Sequence, residues 1–137
     1  ISYEPINSDL ISLGGADVII SMEPMEALRY LPYLNKNGWI ITSSAPFVNI
    51  TNYPDIEKVK ADLHAIKNVI VFDIEQLAKD NNVPRSANVI LLGAAQKALG
   101  IDYGKLEDAI RRVFARKGDA VVDANVKALA IGREAQK

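Results

Sequence analysis

Short apolar runs alternate with stretches of helical periodicity, and this alternation constrains the fold more than any other feature. Residues 17–22 form the first run, between Gly14-Gly15 and Glu23-Pro24. Residues 39–43 and 69–72 form two more. Such short runs, rich in β-branched residues, are typical of strands buried on both faces within a parallel sheet.

The segments between these runs have the period of amphipathic helices. After Pro24, an apolar stripe predicts a first helix that stops within residues 35–38, where Gly38 is free to take the left-handed conformation. From Asp55 a second helix is expected, with Ile56, Val59, Leu63 and Ile66 on one face. A short helix, residues 74–81, follows the third run. The order strand–helix–strand–helix–strand–helix predicts right-handed crossovers in an α/β, Rossmann-like, mostly parallel sheet with flanking helices.

The C-terminal half is expected to be helical. Ser86 can cap a helix over residues 87–99, which is apolar on every side and so must be covered by its own domain or by a partner. Asp102 begins another helix, for which we expect four inward residues and two outward ion pairs: Leu106, Ile110, Val113 and Phe114, then Glu107–Arg111 and Asp108–Arg112. After Gly118 a last helix runs from about residue 119 to 134.

Length and composition narrow the function classes. A chain of 137 residues suits one α/β domain over residues 1–137, and a net charge of −1 argues against nucleic acid as a partner. The absence of cysteine excludes a thiolate nucleophile and cysteine-ligated iron–sulfur or zinc sites. A single histidine, His64, excludes the usual histidine-rich metal sites and is expected at the surface. With no membrane span and no signal peptide in the sequence, we expect a cytoplasmic protein that binds no metal.

Polar side chains follow the predicted strands and form the main candidate site. Glu23, Glu26, Ser43, Ser44 and Asp73 share one edge if the sheet is parallel, and ligands of open parallel sheets bind outside this edge. The serines would donate hydrogen bonds to a ligand, and a carboxylate would accept from a hydroxyl or amine. Alternatively, Glu23 and Ser44 only cap backbone N–H groups at helix and loop starts.

Three other features have both a functional and a purely structural interpretation. Arg85 precedes the Ser86 cap. It either binds an anion at the start of the helix or is a surface residue without a ligand. The cationic pairs 111–112 and 116–117 either bind an acidic partner or a phosphate, or stay solvated beside the helix dipole. The triplet 49–51 fits a glycosylation site, which we attribute to chance. No complete catalytic or phosphate-binding motif is present, so the residues favour a scaffold or subunit over a self-sufficient enzyme.

Four stretches resemble a known family. Residues 15–32 contain the block Glu-Pro-Met-Glu-Ala-Leu-Arg-Tyr-Leu, and residues 84–88, 91–94 and 125–132 support the match. Together they resemble the gamma-type subunit of the 2-oxoacid:ferredoxin oxidoreductases, most closely the indolepyruvate branch. The resemblance covers nearly the whole chain and corresponds to the C-terminal two-thirds of such a subunit. The family's Gly-rich opening portion has no counterpart here, and residues 1–6 look like the strand that follows it.

The resemblance implies oxidative decarboxylation of arylpyruvates to aryl-acetyl-CoA, with ferredoxin as the electron acceptor and CoA as co-substrate. It places thiamine diphosphate, magnesium and the iron–sulfur clusters in a larger partner subunit, so this chain would complete the complex and bind no cofactor itself. Its own catalytic residues are unknown. The candidates for the substrate or CoA side of the site are Glu23, Glu26, Ser43, Ser44, Arg85 and Asn88.

Two other functions stay open from the sequence. One is a stand-alone α/β module that binds a small anion near Ser43, Ser44 and Glu23. The other is an independent NAD-dependent dehydrogenase, which the chain disfavours because it lacks the glycine fingerprint after a strand.

Overall fold

Three parallel strands form the sheet in the computed structural model, which describes residues 2, 4–46 and 54–136. Strand β1 is Ala16–Ser21, β2 is Leu34–Ser43 and β3 is Val69–Phe72. Their order is β1-β2-β3, and β2 pairs in parallel with both neighbours. The predicted α/β fold with a mostly parallel sheet is therefore confirmed.

One face of the sheet is covered by two helices, α1 (Pro24–Arg29) and α2 (Ile56–His64). The apolar stripe predicted for α2 is confirmed, since Val59 and Leu63 are buried beside Ile40 of the central strand. Asp55 begins this helix, and its carboxylate accepts a hydrogen bond from the Glu57 N–H at 3.0 Å.

The opposite face carries the larger core. Helices α3 (Ile74–Asp80), α4 (Ala87–Leu99), α5 (Tyr103–Phe114) and α6 (Asp119–Ala135) follow β3 in order. The predicted helical C-terminal half is thus confirmed, with α4 bounded as expected. Short 3-10 turns precede β2 at Leu31–Tyr33, precede α4 at Pro84–Ser86 and follow α5 at Ala115–Lys117.

Helix α4 is covered within its own chain, mainly by α6 and by the sheet. A Cβ placed on Gly93 would lie 2.3 Å from the Leu129 carbonyl oxygen, and one on Gly132 would lie 1.9 Å from the Ile90 carbonyl oxygen. The two backbones approach this closely only because both helices have glycine at the crossing. Of the two covers expected for α4, its own domain is the one observed.

The start of β2 differs from the prediction. Ala16 pairs with Leu34 and Val18 pairs with Trp39, so β1 advances by two residues while β2 advances by five. The segment predicted to end a helix, residues 35–38, is therefore a bulge inside β2. Gly38 is buried in this bulge, where a Cβ would lie 2.5 Å from Leu34 Cδ1, and close packing rather than a left-handed turn requires the glycine.

Several finer predictions are wrong. Strand β1 is not buried on both faces, because it lies at the edge of the sheet and Ile20 is 40% exposed. Helix α1 ends at Arg29, earlier than its apolar stripe indicated. Ser86 caps no N–H of α4 with its side chain, although it is buried at the start of that helix. Val113 points to solvent with 70% of its surface exposed.

Further outcomes concern ion pairs and termini. Arg111 pairs with Glu107 at 2.9 Å as expected, whereas the described residues include no pair between Asp108 and Arg112. Ser2 and residues 4–6 are not in a strand. The triplet 49–51 and most of the predicted loop around it lie outside the described residues.

Candidate functional site

The carboxyl ends of β2 and β3 meet at Ser43 and Phe72, as a parallel sheet requires. The Ser44 N–H donates to the Phe72 carbonyl at 2.9 Å. The buried Ser43 Oγ accepts hydrogen bonds from the backbone N–H groups of Ala45 at 3.3 Å and of Ile74 at 3.4 Å. Ser43 therefore fixes the loop after β2 and the first residue of α3.

Glu23 lies at the end of β1 and is only 2% exposed. Its Oε2 accepts from the Glu26 N–H at 2.8 Å and so caps α1. The Ser21 hydroxyl donates to the Glu23 carbonyl at 2.6 Å and accepts from the Glu23 N–H at 3.1 Å. The Ser21 bonds therefore fix the backbone of Glu23 at the end of β1, and the Glu26 bond fixes its carboxylate.

Other carboxylates at this edge have similar local partners. Asp73 Oδ1 accepts from the Gln76 N–H at 2.9 Å and caps α3. Glu26 forms an ion pair with Arg29 at 2.9 Å. The structure therefore brings Glu23, Ser43, Ser44 and Asp73 to strand ends, and it assigns capping bonds to three of them.

Arg85 and Asn88 lie at the start of α4, and both are exposed. In the part of the chain that the structure describes, no hydrogen bond or ion pair joins either side chain to the strand ends. These two candidate residues are thus available at the surface, at the beginning of a 13-residue helix.

The described residues include no group of three or more His, Asp or Glu side chains that could hold a metal ion. The sequence has no cysteine, so it supplies no thiolate for an iron–sulfur cluster. These donors do not fit the clusters or the magnesium that the family resemblance implies. His64, a candidate base only by its type, is exposed at the end of α2, as the sequence predicted.

The cationic cluster near the end of α5 has partial local support. Arg111 pairs with Glu107, and Lys117 Nζ lies 5.7 Å from the centre of the Phe114 ring. Arg112 and Arg116 are exposed on the same segment. Two of its four cations therefore have a structural role.

A groove that was not predicted lies at the opposite end of the sheet, where the strands begin. Two adjoining cavities, of about 370 and 290 Å³, share Trp39 and Ala98 in their linings. Residues from the β2 bulge line the first, and residues from α4 line the second. One sign of this groove in the sequence is that Asn-Lys-Asn-Gly is followed directly by the chain's single tryptophan. This segment looks like an ordinary turn before a strand, so it did not predict a site.

The strand order and helix placement define an α/β protein built on a three-stranded parallel sheet. No helix among the described residues is both long enough and apolar enough to cross a membrane. A family model described as pyruvate ferredoxin/flavodoxin oxidoreductase matches residues 1–135, and the chain belongs to this family. The predicted family resemblance is thereby confirmed.

The relatives carry one name, indolepyruvate oxidoreductase subunit IorB. The chain is 33% identical to the protein of Pyrococcus horikoshii, over 93% of this chain and 67% of the relative. It is 31% identical to that of Archaeoglobus fulgidus, over 93% of this chain and 66% of the relative. Identity to the Thermococcus kodakarensis protein is 30%, over 98% of this chain and 70% of the relative. The chain thus matches about two thirds of the length of these relatives.

Proposed function

We propose that this chain is a subunit of a 2-oxoacid:ferredoxin oxidoreductase that decarboxylates arylpyruvates such as indolepyruvate to aryl-acetyl-CoA, with ferredoxin as acceptor. The observation that carries the proposal is the family match over residues 1–135, together with relatives that are named as subunits of an indolepyruvate oxidoreductase. The chain would act in the cytoplasm as one α/β domain.

The donor atoms of the chain support a division of labour between subunits. The sequence supplies no cysteine thiolate for an iron–sulfur cluster, and the described residues include no group of three or more His, Asp or Glu side chains that could hold a metal ion. In our proposal a larger partner subunit binds these cofactors, and this chain completes the assembly. Thiamine diphosphate supplies the carbanion chemistry when bound, while the present chain orients CoA or substrate.

An exposed apolar patch supports a subunit interface. Leu13 is 72% exposed and Tyr30 is 51% exposed, and Leu31 and Tyr33 are also exposed beside them. The Gly14 N–H donates to the Pro32 carbonyl at 3.0 Å, which holds the segment around Leu13 against the 3-10 turn. Contiguous exposed tyrosine and leucine mark interfaces, so we assign this patch to the partner subunit.

Activity in the reconstituted complex tests the proposal. The chain and the large subunit are purified separately, and arylpyruvate- and CoA-dependent reduction of a viologen dye is measured with each alone and with both. We expect turnover only with both present. Turnover by the large subunit that is unchanged by adding this chain would refute the proposal.

A surface variant tests the interface. Tyr30→Ala should raise the dissociation constant of the two subunits at least fivefold, as expected for an interface residue that contributes 1 kcal/mol or more. Val113→Ala, at an apolar residue of α5 that is even more exposed, is the control outside the patch and should leave assembly unchanged. Equal affinities for wild type and Tyr30→Ala would remove this patch from the interface.

Ser44 gives the sharpest test of the strand-end site. We propose Glu23, Glu26, Ser43, Ser44, Arg85 and Asn88 on the substrate or CoA side. Of the two strand-end serines, Ser43 is the one whose side chain caps backbone N–H groups of described residues. Ser44→Ala should raise KM for CoA or arylpyruvate while leaving the melting temperature within about 1 °C. Unchanged KM values for both would exclude Ser44 from the site.

A further inference from the structure

The groove at the start of the sheet is built around Trp39. Trp39 is 36% exposed, although the next residue in β2, Ile40, is completely buried. Trp39 lines both adjoining cavities, which have volumes of about 370 and 290 Å³, at the lower end of the size range of small-molecule sites. A large, rigid aromatic surface left open at the junction of two cavities is suited to stacking a planar ring.

One wall of the groove is the β2 bulge, and hydrogen bonds hold it in place. The Asn35 side-chain amide donates to Asp17 Oδ1, and Asn35 Oδ1 in turn accepts from the Asn37 N–H at 2.8 Å. Asn68 Nδ2 donates to the Asn37 carbonyl at 3.1 Å. The bulge is therefore fixed from both sides, and it presents Lys36 to the first cavity. Bulges commonly redirect a side chain in this way at functional sites.

The other wall is the last turn of α4. Lys97 and Ala94 line the second cavity with Trp39 and Gln136. The Gln136 side chain accepts from the Lys97 N–H at 3.1 Å, which joins the ends of α4 and α6. This wall is thus also held by tertiary contacts rather than by a mobile loop.

The charges in the groove favour an anion. Lys36 and Lys97 are exposed and form no ion pair with any described residue. The one carboxylate in the linings, Asp17, accepts the Asn35 amide. The groove therefore has a cation on each wall and Trp39 between them, and its two lysines outnumber the one carboxylate, Asp17.

We propose that this groove binds a small aromatic anion, with its ring against the Trp39 indole and its negative group beside Lys36 or Lys97. Nucleotides and aryl carboxylates share this chemistry. The site lies at the strand starts, away from the strand-end residues discussed above, and the proposal does not rest on the function proposed for the subunit.

Nuclear magnetic resonance of the full chain provides a direct test, because Trp39 is the only tryptophan and its indole N–H gives one resolved signal. The probes are AMP, phenylpyruvate, the uncharged rings adenosine and indole, and inorganic phosphate. We expect the Trp39 signal to shift saturably with AMP or phenylpyruvate. The apparent affinity obtained from the same titration should be at least fivefold lower for the uncharged rings and for phosphate. The comparison of AMP with phenylpyruvate distinguishes the two sources of the anion.

Variants then identify the cations. Lys36→Gln and Lys97→Gln should each weaken binding about two- to fivefold, the usual contribution of an exposed charge. Lys58→Gln on α2, across the sheet, is the matched control and should bind as the wild type does. Any one of three results would overturn the proposal. The first is that neither anion gives a saturable shift up to 10 mM, roughly the millimolar limit of weak binding. The others are that uncharged rings bind with equal affinity, or that the double variant Lys36→Gln/Lys97→Gln binds as the wild type does. Melting temperatures of all variants confirm that the fold is intact.

Discussion

Replacing Gly132 by alanine should destabilise the protein through the contact between α4 and α6. The added Cβ would lie 1.9 Å from the Ile90 carbonyl oxygen and 2.8 Å from the Ala94 amide nitrogen. These two atoms are spaced to form a helical hydrogen bond of α4, so the methyl group enters that bond. All of the atoms that must move belong to backbone, and no side-chain rotation relieves the clash.

The size of the effect follows from two opposing contributions. Contacts under 3.0 Å essentially never occur for a Cβ, so the helices must separate by about 1 Å at this point. Overpacking of this kind costs about 3 kcal/mol or slightly more, while alanine in place of a helical glycine returns about 1 kcal/mol. We expect a net loss of about 2 to 3 kcal/mol and a melting temperature lower by about 6 to 12 °C.

Thermal and urea unfolding measure this loss, with Gly104→Ala as the control. Gly104 is the second residue of α5, and a Cβ there meets only the Asp102 carboxylate oxygen, at 3.2 Å, which is the oxygen that caps the Lys105 N–H. The gain in helix propensity and any weakening of this cap are each about 1 kcal/mol or less and oppose each other, so this control should stay within about 1 kcal/mol of the wild type. If Gly132→Ala is as stable as the wild type, the close approach of the two helices does not exist as described.

Two further predictions concern α5. Asp102→Ala should lower the free energy of unfolding in urea by about 1 kcal/mol, because it removes the cap on the Lys105 N–H. The control Ser86→Ala removes no capping bond of α4 and should lower it by at most about half as much. Equal losses in the two variants would contradict this assignment. Burial and then the nearby Glu107 raise the pKa of Tyr103, while Arg133, whose guanidinium lies 4.3 Å from the ring centre, lowers it. Because the folded state disfavours the phenolate, stability should fall as pH rises through the ordinary tyrosine pKa of 10.0 and above. Arg133→Gln should raise the Tyr103 pKa further and steepen that fall, as followed by NMR titration of ring-labelled tyrosine, and a lower pKa in the variant would refute the assignment.

Local sequence signals predicted most of the elements. Helix α4 spans residues 87–99 as predicted, and β3 coincides with its β-branched run. Asp102 caps α5 as its residue type predicted. These predictions succeed because period, capping residue and glycine position are properties of a few consecutive residues.

The candidate site was predictable in part. The carboxyl ends of parallel strands meet whatever their sequence, so Ser43 and Asp73 were correctly placed at one edge. Their capping bonds depend on which helix start lies next to each oxygen, and the sequence left that choice open. The groove at Trp39 was not predictable, because the residues Asn-Lys-Asn-Gly are compatible both with a turn that ends a helix and with a bulge inside a strand.

The sequence by itself determined the α/β class, the succession of strands and helices along the chain, and the lack of a thiolate among its residues. Each of these follows from residue type or from the spacing of apolar residues over a few positions. Only the tertiary structure decided which apolar faces are covered. Gly93 and Gly132 bring α6 against α4, which covers much of that helix, while Ile20 at the sheet edge and Val113 on α5 stay exposed. Burial depends on which distant segments come into contact, and no local pattern encodes that contact.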